Sequence, residues 1–282
     1  MTGGARRMVM AETQKNGRCP HLFEIGIIGG TKGMGEWFAR FFEKEGYGVQ
    51  VSGRNKGMGA REMADHCRVV IVSFPMGVTR KVIEEIGPHM CEDALLMDLT
   101  SLKQEPVRAM LASSVSDVIG SHPLFGPQVE SMAGQRVVLC PARGHRWIPW
   151  LRNVLEKNGA HVVETTPETH DRMMAIVQGL NHFNTMAMGV ALSESGTTLP
   201  DLKRFSTPAF NVKVRLLEKV FCQNPGLYAE ILTMNPDIPA WIDRYAKIIT
   251  EMKDMVLRGD SEDMTEHLES HADYFKKKNP DG

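Results

Sequence analysis

No apolar run in this 282-residue chain approaches the roughly 20 residues needed to cross a bilayer. A disulfide framework is missing as well. The five cysteines, Cys19, Cys67, Cys91, Cys140 and Cys222, are odd in number, far apart and form no CxxC. That pattern argues against both disulfide staples and a zinc site, and it fits a reducing, cytoplasmic setting. Charge of one sign is absent too. The formal net charge is -1, so no strong field draws a polyanion, and neither nucleic acid nor a membrane surface is expected as a partner. Residues 1–21 lack the apolar stretch of a secretory signal. Being polar and glycine-rich, they are expected to form a disordered extension. Residues 277–282, like the lysines just before and at their start, read as a solvated tail. There is no internal repeat and no low-complexity segment.

What is present reads as strands alternating with helices. Residues 22–29, "LFEIGIIG", are a short apolar run ending in glycine, as a buried strand is. In "GEWFARFFEKE" (35–45), Trp37, Phe38, Phe41 and Phe42 share one helical face and the charged residues take the other. "YGVQVSG", "RVVIVSFP", "ALLMDLT", "DVIGSHP", "QRVVLCP" and "AHVVET" read as further strands, and "VTRKVIEEIG" and "WIPWLRNVLEKNG" as helices. The alternation implies a Rossmann-type, parallel, doubly wound sheet over residues 22–165. From residue 166 to 276 the strand signal disappears and an all-helical domain is expected. Thr165 with Glu168 suggests a capping box at its start, with Pro167 in the first turn. The methionines at 173, 174, 186, 188 and 234 read as helix packing, and Trp37 and Trp241 as core.

Between the first strand and helix lies "GGTKGMG", Gly29, Gly30, Thr31, Lys32, Gly33, Met34 and Gly35. A strand-to-helix turn of this kind lets a pyrophosphate approach the free N–H groups of a helix N-terminus. The spacing departs from G-x-G-x-x-G: counted back from Gly35, the middle glycine is replaced by Lys32. At the end of the second strand an NAD site usually holds a carboxylate for the ribose hydroxyls. Here the chain has Ser52, Gly53, Arg54, Asn55 and Lys56 and no acid. A hydroxyl with a guanidinium suits a 2′-phosphate, which favours NADP and leaves NAD as the alternative.

Two polar segments fall at carboxyl ends of strands, where ligands of open α/β sheets bind. One is "DLTSLK" with Asp98, Thr100, Ser101 and Lys103; the other is "SHPLFGP" with His122. A histidine there can take a proton at neutral pH. Ser101 can orient it or a substrate hydroxyl. From the residues alone, His122 is equally a turn residue stiffened by Pro123 and Pro127.

The sequence resembles the prephenate dehydrogenase family. The resemblance runs from about residue 23 to 275 and is carried by "IIGGTKGMGEWFARFF", "VIVSFPMGVTRKVI", "LLMDLTSLK", "SHPLFGP", "HDRMMAIVQGLNHF", "STPAF" and "QNPGLYAEI". It implies oxidative decarboxylation of prephenate to 4-hydroxyphenylpyruvate in tyrosine biosynthesis, with hydride passing to NADP or NAD. It implies that His122 takes the hydroxyl proton, that Ser101 orients histidine and hydroxyl, and that His182 lies at the substrate site. Gln178, one turn earlier, shares its face, and His170 is left with a capping or cleft role. The family's carboxylate-binding arginine is replaced by Lys219, and Arg215 one turn before can compensate. A homodimer through the helical domain is implied, with a small dicarboxylate as substrate. Arogenate, another small acid handled by the same architecture, and a non-catalytic nucleotide-binding paralogue remain as alternatives.

Overall fold

The computed structural model describes residues 23–53 and 56–276. The expected N-terminal extension, Arg54, Asn55 and the 277–282 tail lie outside the described residues. The chain divides into two compact units between Asp171 and Arg172, a few residues beyond the boundary expected from sequence.

The first unit is built on β1 (Glu24–Ile28), β2 (Gly48–Gly53), β3 (Lys56–Gly57), β4 (Val69–Val72), β5 (Leu95–Asp98), β6 (Asp117–Pro123), β7 (Arg136–Arg143) and β8 (His161–Glu164). They form one sheet in the order β3-β2-β1-β4-β5-β6-β7-β8. Helices α1 (Gly33–Lys44), α2 (Ala60–His66), α3 (Met76–Ile86), α4 (Gln104–Ser113) and α5 (Ile148–Glu156) connect them. β4, "VVIV", and β5, "LLMD", are buried along their whole length. They are apolar on both faces because both faces are covered. Ile25, Ile27, Val69 and Ile71 face Phe38 and Phe42 of α1 and Leu151 of α5. Ile28, Val70, Val72 and Leu96 face Met63 of α2, Ile83 and Ile86 of α3, and Met110 of α4. This two-sided cover fixes the register, since a slip by one residue would exchange the faces.

The sheet is not wholly parallel. β6 and β7 pair antiparallel, as do β2 and the two-residue β3. The connection from β6 to β7, residues 124–135, contains Gly126, Pro127 and Gly134 and no helix. Without a crossover helix the chain returns directly, and an antiparallel pair is what a direct return makes.

The second unit is helical. α6 (Pro167–Met174) runs across the join and continues as a π-helical turn, Ala175–Leu180, into α7 (Asn181–Ser193). Then follow α8 (Leu199–Arg204), α9 (Pro208–Cys222), α10 (Pro225–Met234), α11 (Ile238–Arg258) and α12 (Ser261–Lys276). Thr198, Thr207 and Asn224 cap α8, α9 and α10 through their side chains, each with proline in the first turn. α6 is capped by Thr166, whose Oγ1 accepts the Thr169 N–H at 3.2 Å, so the expected box on Thr165 moves by one residue. Trp37 is buried as expected. Trp241 is only half-buried, with the Arg244 guanidinium 5.7 Å over its ring, and Met173 is exposed. Among the described residues no helix is long and apolar enough to cross a membrane.

Candidate active site

The glycine turn forms where β1 runs out. Gly29 has φ 88°, and a Cβ there would lie 2.2 Å from the Ser73 carbonyl oxygen, so glycine is required on both counts. The N–H groups of Gly29 and Gly30 donate to the Ser52 carbonyl at 2.8 and 3.1 Å, tying the turn to the end of β2. A Cβ on Gly35 would stand 2.5 Å from the Gly29 carbonyl oxygen. The helix therefore starts pressed against the strand end. Gly33, by contrast, faces open space, with nothing within 4 Å of its Cβ position. Thr31 and Lys32 are exposed and Met34 half-buried. No side chain caps the N-terminus of α1, so its first N–H groups point outward and its dipole favours an anion. The altered spacing thus still yields a turn that fits a dinucleotide pyrophosphate. Ser52 stands half-buried at the end of β2.

At the carboxyl ends of β5 and β6 a buried polar cluster forms. Lys103 is fully buried and paired with Asp98. Its Nζ also donates to the Ser121 carbonyl at 2.8 Å, and Asp98 accepts the Thr100 N–H at 2.9 Å. A charge without solvent persists only when paired and hydrogen-bonded in this way, and removing one partner costs about 3–5 kcal/mol.

His122, near the end of β6, is 3% exposed. Its Nδ1 lies 2.9 Å from Nε2 of His170. Nδ1 of His170 lies 2.7 Å from Oδ1 of Asp171. Asp171 also accepts the backbone N–H groups of Lys103 and Gln104, at 2.8 and 2.9 Å, and so serves the N-terminus of α4. Burial, then His170, then Lys103 hold His122 well below the ordinary histidine range. The ring is neutral at physiological pH and can accept a proton. The thiol of Cys140, opposite Gly120 on β7, is pushed up to about 12 by burial and is no nucleophile.

The expected residues distribute as follows. His122 and Ser101 lie in the first unit. Ser101 is half-buried ahead of α4, but the Nδ1 of His122 goes to His170 and not to the serine. In the second unit His182 is half-buried on α7, its ring edge-on to Tyr228 at 4.8 Å. Burial and then Lys219 lower its pKa. Lys219 and Arg215 are exposed one turn apart on α9, and Gln178 sits in the π-helical turn. Asp171 was missed from sequence, and His170 was given only a capping or cleft role. The adjacent His-Asp pair at a helix start was the available signal.

The chain matches two family profiles. Residues 38–164 match "Prephenate dehydrogenase, nucleotide-binding domain" and residues 166–270 match "Prephenate dehydrogenase, dimerization domain". The probable arogenate/prephenate dehydrogenase of Methanocaldococcus jannaschii is 36% identical over 271 residues, covering 89% of this chain and 60% of that protein. The T-protein of Enterobacter agglomerans is 33% identical over 244 residues, covering 86% of this chain and 65% of that protein. The chain thus spans less than two thirds of either relative. In fold it resembles prephenate dehydrogenase from A. aeolicus, solved with hydroxyphenyl propionate and NAD+ (TM-score 0.72, 19% identity, 90% of this chain and 98% of that one). It also resembles Synechocystis arogenate dehydrogenase (TM-score 0.68, 17% identity, 90% and 99%).

Proposed function

Because the chain belongs to the prephenate dehydrogenase family, we propose that it oxidises and decarboxylates prephenate to 4-hydroxyphenylpyruvate. The observation that carries this reading is a buried, neutral His122 at the carboxyl end of a strand, in the same sheet whose first strand ends in a dinucleotide turn. His122 takes the proton of the ring hydroxyl, with Ser101 orienting that hydroxyl. A bound nicotinamide dinucleotide supplies the acceptor for the hydride that leaves the hydroxyl-bearing carbon. The ring carboxylate then departs as CO2, its bonding electrons aromatise the ring, and His122 returns its proton to the phenolate oxygen. A positioned base of this kind contributes roughly 10²–10⁴-fold to rate.

Residues 29–35 would hold the pyrophosphate, and Ser52, Arg54 and Asn55 the 2′-phosphate of NADP. Lys219, supported by Arg215, would meet a substrate carboxylate, beside His182 and Gln178. The working form is a homodimer joined through the helical unit, in the cytoplasm, in keeping with cysteines 67, 91, 140 and 222 forming no disulfide with one another.

The test mixes purified protein with prephenate or arogenate and NADP+ or NAD+ and follows reduced-nicotinamide absorbance. Turnover of prephenate, with higher kcat/KM for NADP+ than for NAD+, is expected. A higher kcat/KM for arogenate reassigns the substrate, and no turnover of either acid overturns the reading.

A further inference from the structure

A histidine base works through one ring nitrogen, and the contacts behind His122 decide which. The carboxylate of Asp171 accepts two backbone N–H bonds, from Lys103 on Oδ1 and from Gln104 on Oδ2. An ionised carboxylate only accepts. Nδ1 of His170, 2.7 Å away, therefore donates. A neutral imidazole with its proton on Nδ1 presents Nε2 as an acceptor. That Nε2 faces Nδ1 of His122 at 2.9 Å, so His122 donates from Nδ1 and keeps a lone pair on Nε2.

Resting on the reading of His122 as proton acceptor, we infer that His170 and Asp171 are positioning residues that lock His122 in its Nδ1–H form and make Nε2 the basic atom. The lock is anchored on the sheet domain's own framework, because the same carboxylate serves the first N–H groups of α4. The side chains of His170 and Asp171 are 0% and 2% exposed, so water does not compete for these bonds. Beside them Lys103 and Asp98 are paired with each other, and Glu168 acts with them on the neighbouring Cys140. A doubly protonated His170 would reverse the order, at the cost of a second buried cation in a pocket that already holds Lys103. When Nε2 takes the substrate proton, the Nδ1–H bond to His170 is kept, and Asp171 supplies negative charge behind it.

Nitrogen NMR on protein carrying ring-15N histidine distinguishes protonated from bare ring nitrogens, with His122 assigned by the signals lost in His122→Asn. The expected wild-type state is a protonated Nδ1 and a bare Nε2 on His122. His170→Phe removes the acceptor. It should release His122 to the other tautomer and cut kcat about 10²–10⁴-fold, leaving KM and dinucleotide Kd within about twofold. His170→Gln places an acceptor oxygen near the lost Nε2 and should keep the tautomer and recover most of the rate. Where His170→Phe does not fold, Asp171→Asn makes the same test, since its amide can turn an N–H toward His170.

A wild-type His122 protonated on Nε2 overturns the inference. So does undiminished kcat in His170→Phe, or equal tautomer and rate in the Phe and Gln variants. If no form turns over prephenate but the spectra show the lock and its release, the lock stands and the functional reading falls.

Discussion

As the proposed base, His122 must be a neutral ring, and burial lowers its pKa in that direction. With its folded pKa held well below 6.5, kcat/KM should stay flat through neutral pH and fall only on an acid limb lying below 6.5. A limb centred at or above the ordinary histidine value of about 6.5 would contradict this. The same shift affects stability. Below about 6.5 the unfolded chain binds a proton that the folded chain refuses, so stability rises with pH across that window and declines as pH falls through it. The lowered pKa of His182 acts in the same direction. Urea midpoints measured against pH should show the decline, and His122→Asn should flatten part of it. That variant should also lower kcat by roughly 10²-fold or more and spare cofactor affinity; unchanged turnover would remove the base assignment. Lys219→Ala removes the cation proposed for the carboxylate. A charge-assisted bond contributes about 1.5–3 kcal/mol, so KM should rise roughly 10- to 100-fold with kcat little changed. An unaltered KM would move the role to Arg215.

The element proposed to hold the cofactor pyrophosphate is the β1 to α1 turn. Gly35→Ala would place a methyl group 2.5 Å from the Gly29 carbonyl oxygen and push the helix off the strand. Overpacking costs typically about 1–3 kcal/mol, so dinucleotide Kd should rise by roughly tenfold, read by titration of intrinsic fluorescence. Wild-type affinity would show that the helix start does not hold the pyrophosphate. Elements of this kind were legible in the sequence because their signals are local. Periodicity exposed β1, α1 and β4. The antiparallel turn from β6 to β7 was not legible, since a short apolar strand carries no direction of its own. Nor was the partner of His122. His170 is 48 residues away in the chain, and only the fold brings the start of α6 against the end of β6. Lys103 and Asp98 were noticed as polar residues at a strand end, but their mutual burial followed only from packing.

At the scale of the molecule, large apolar side chains stand exposed on the last two helices. Val256 and Leu257 on α11, and Leu268, Tyr274 and Phe275 on α12, are between 57% and 81% exposed. Such surface marks association sites, which supports the proposed homodimer. Sedimentation should give twice the 31.5 kDa chain mass, and Leu257→Glu with Leu268→Glu should shift the protein to single chains. A monomeric wild type would contradict that assembly. The chemistry and the architecture meet in one stoichiometry. Purified protein given prephenate and NADP+ should release reduced nicotinamide, 4-hydroxyphenylpyruvate and CO2 in equal amounts, and His122→Asn should slow all three together. Reduced nicotinamide without CO2, or no reduced nicotinamide at all, would contradict the account.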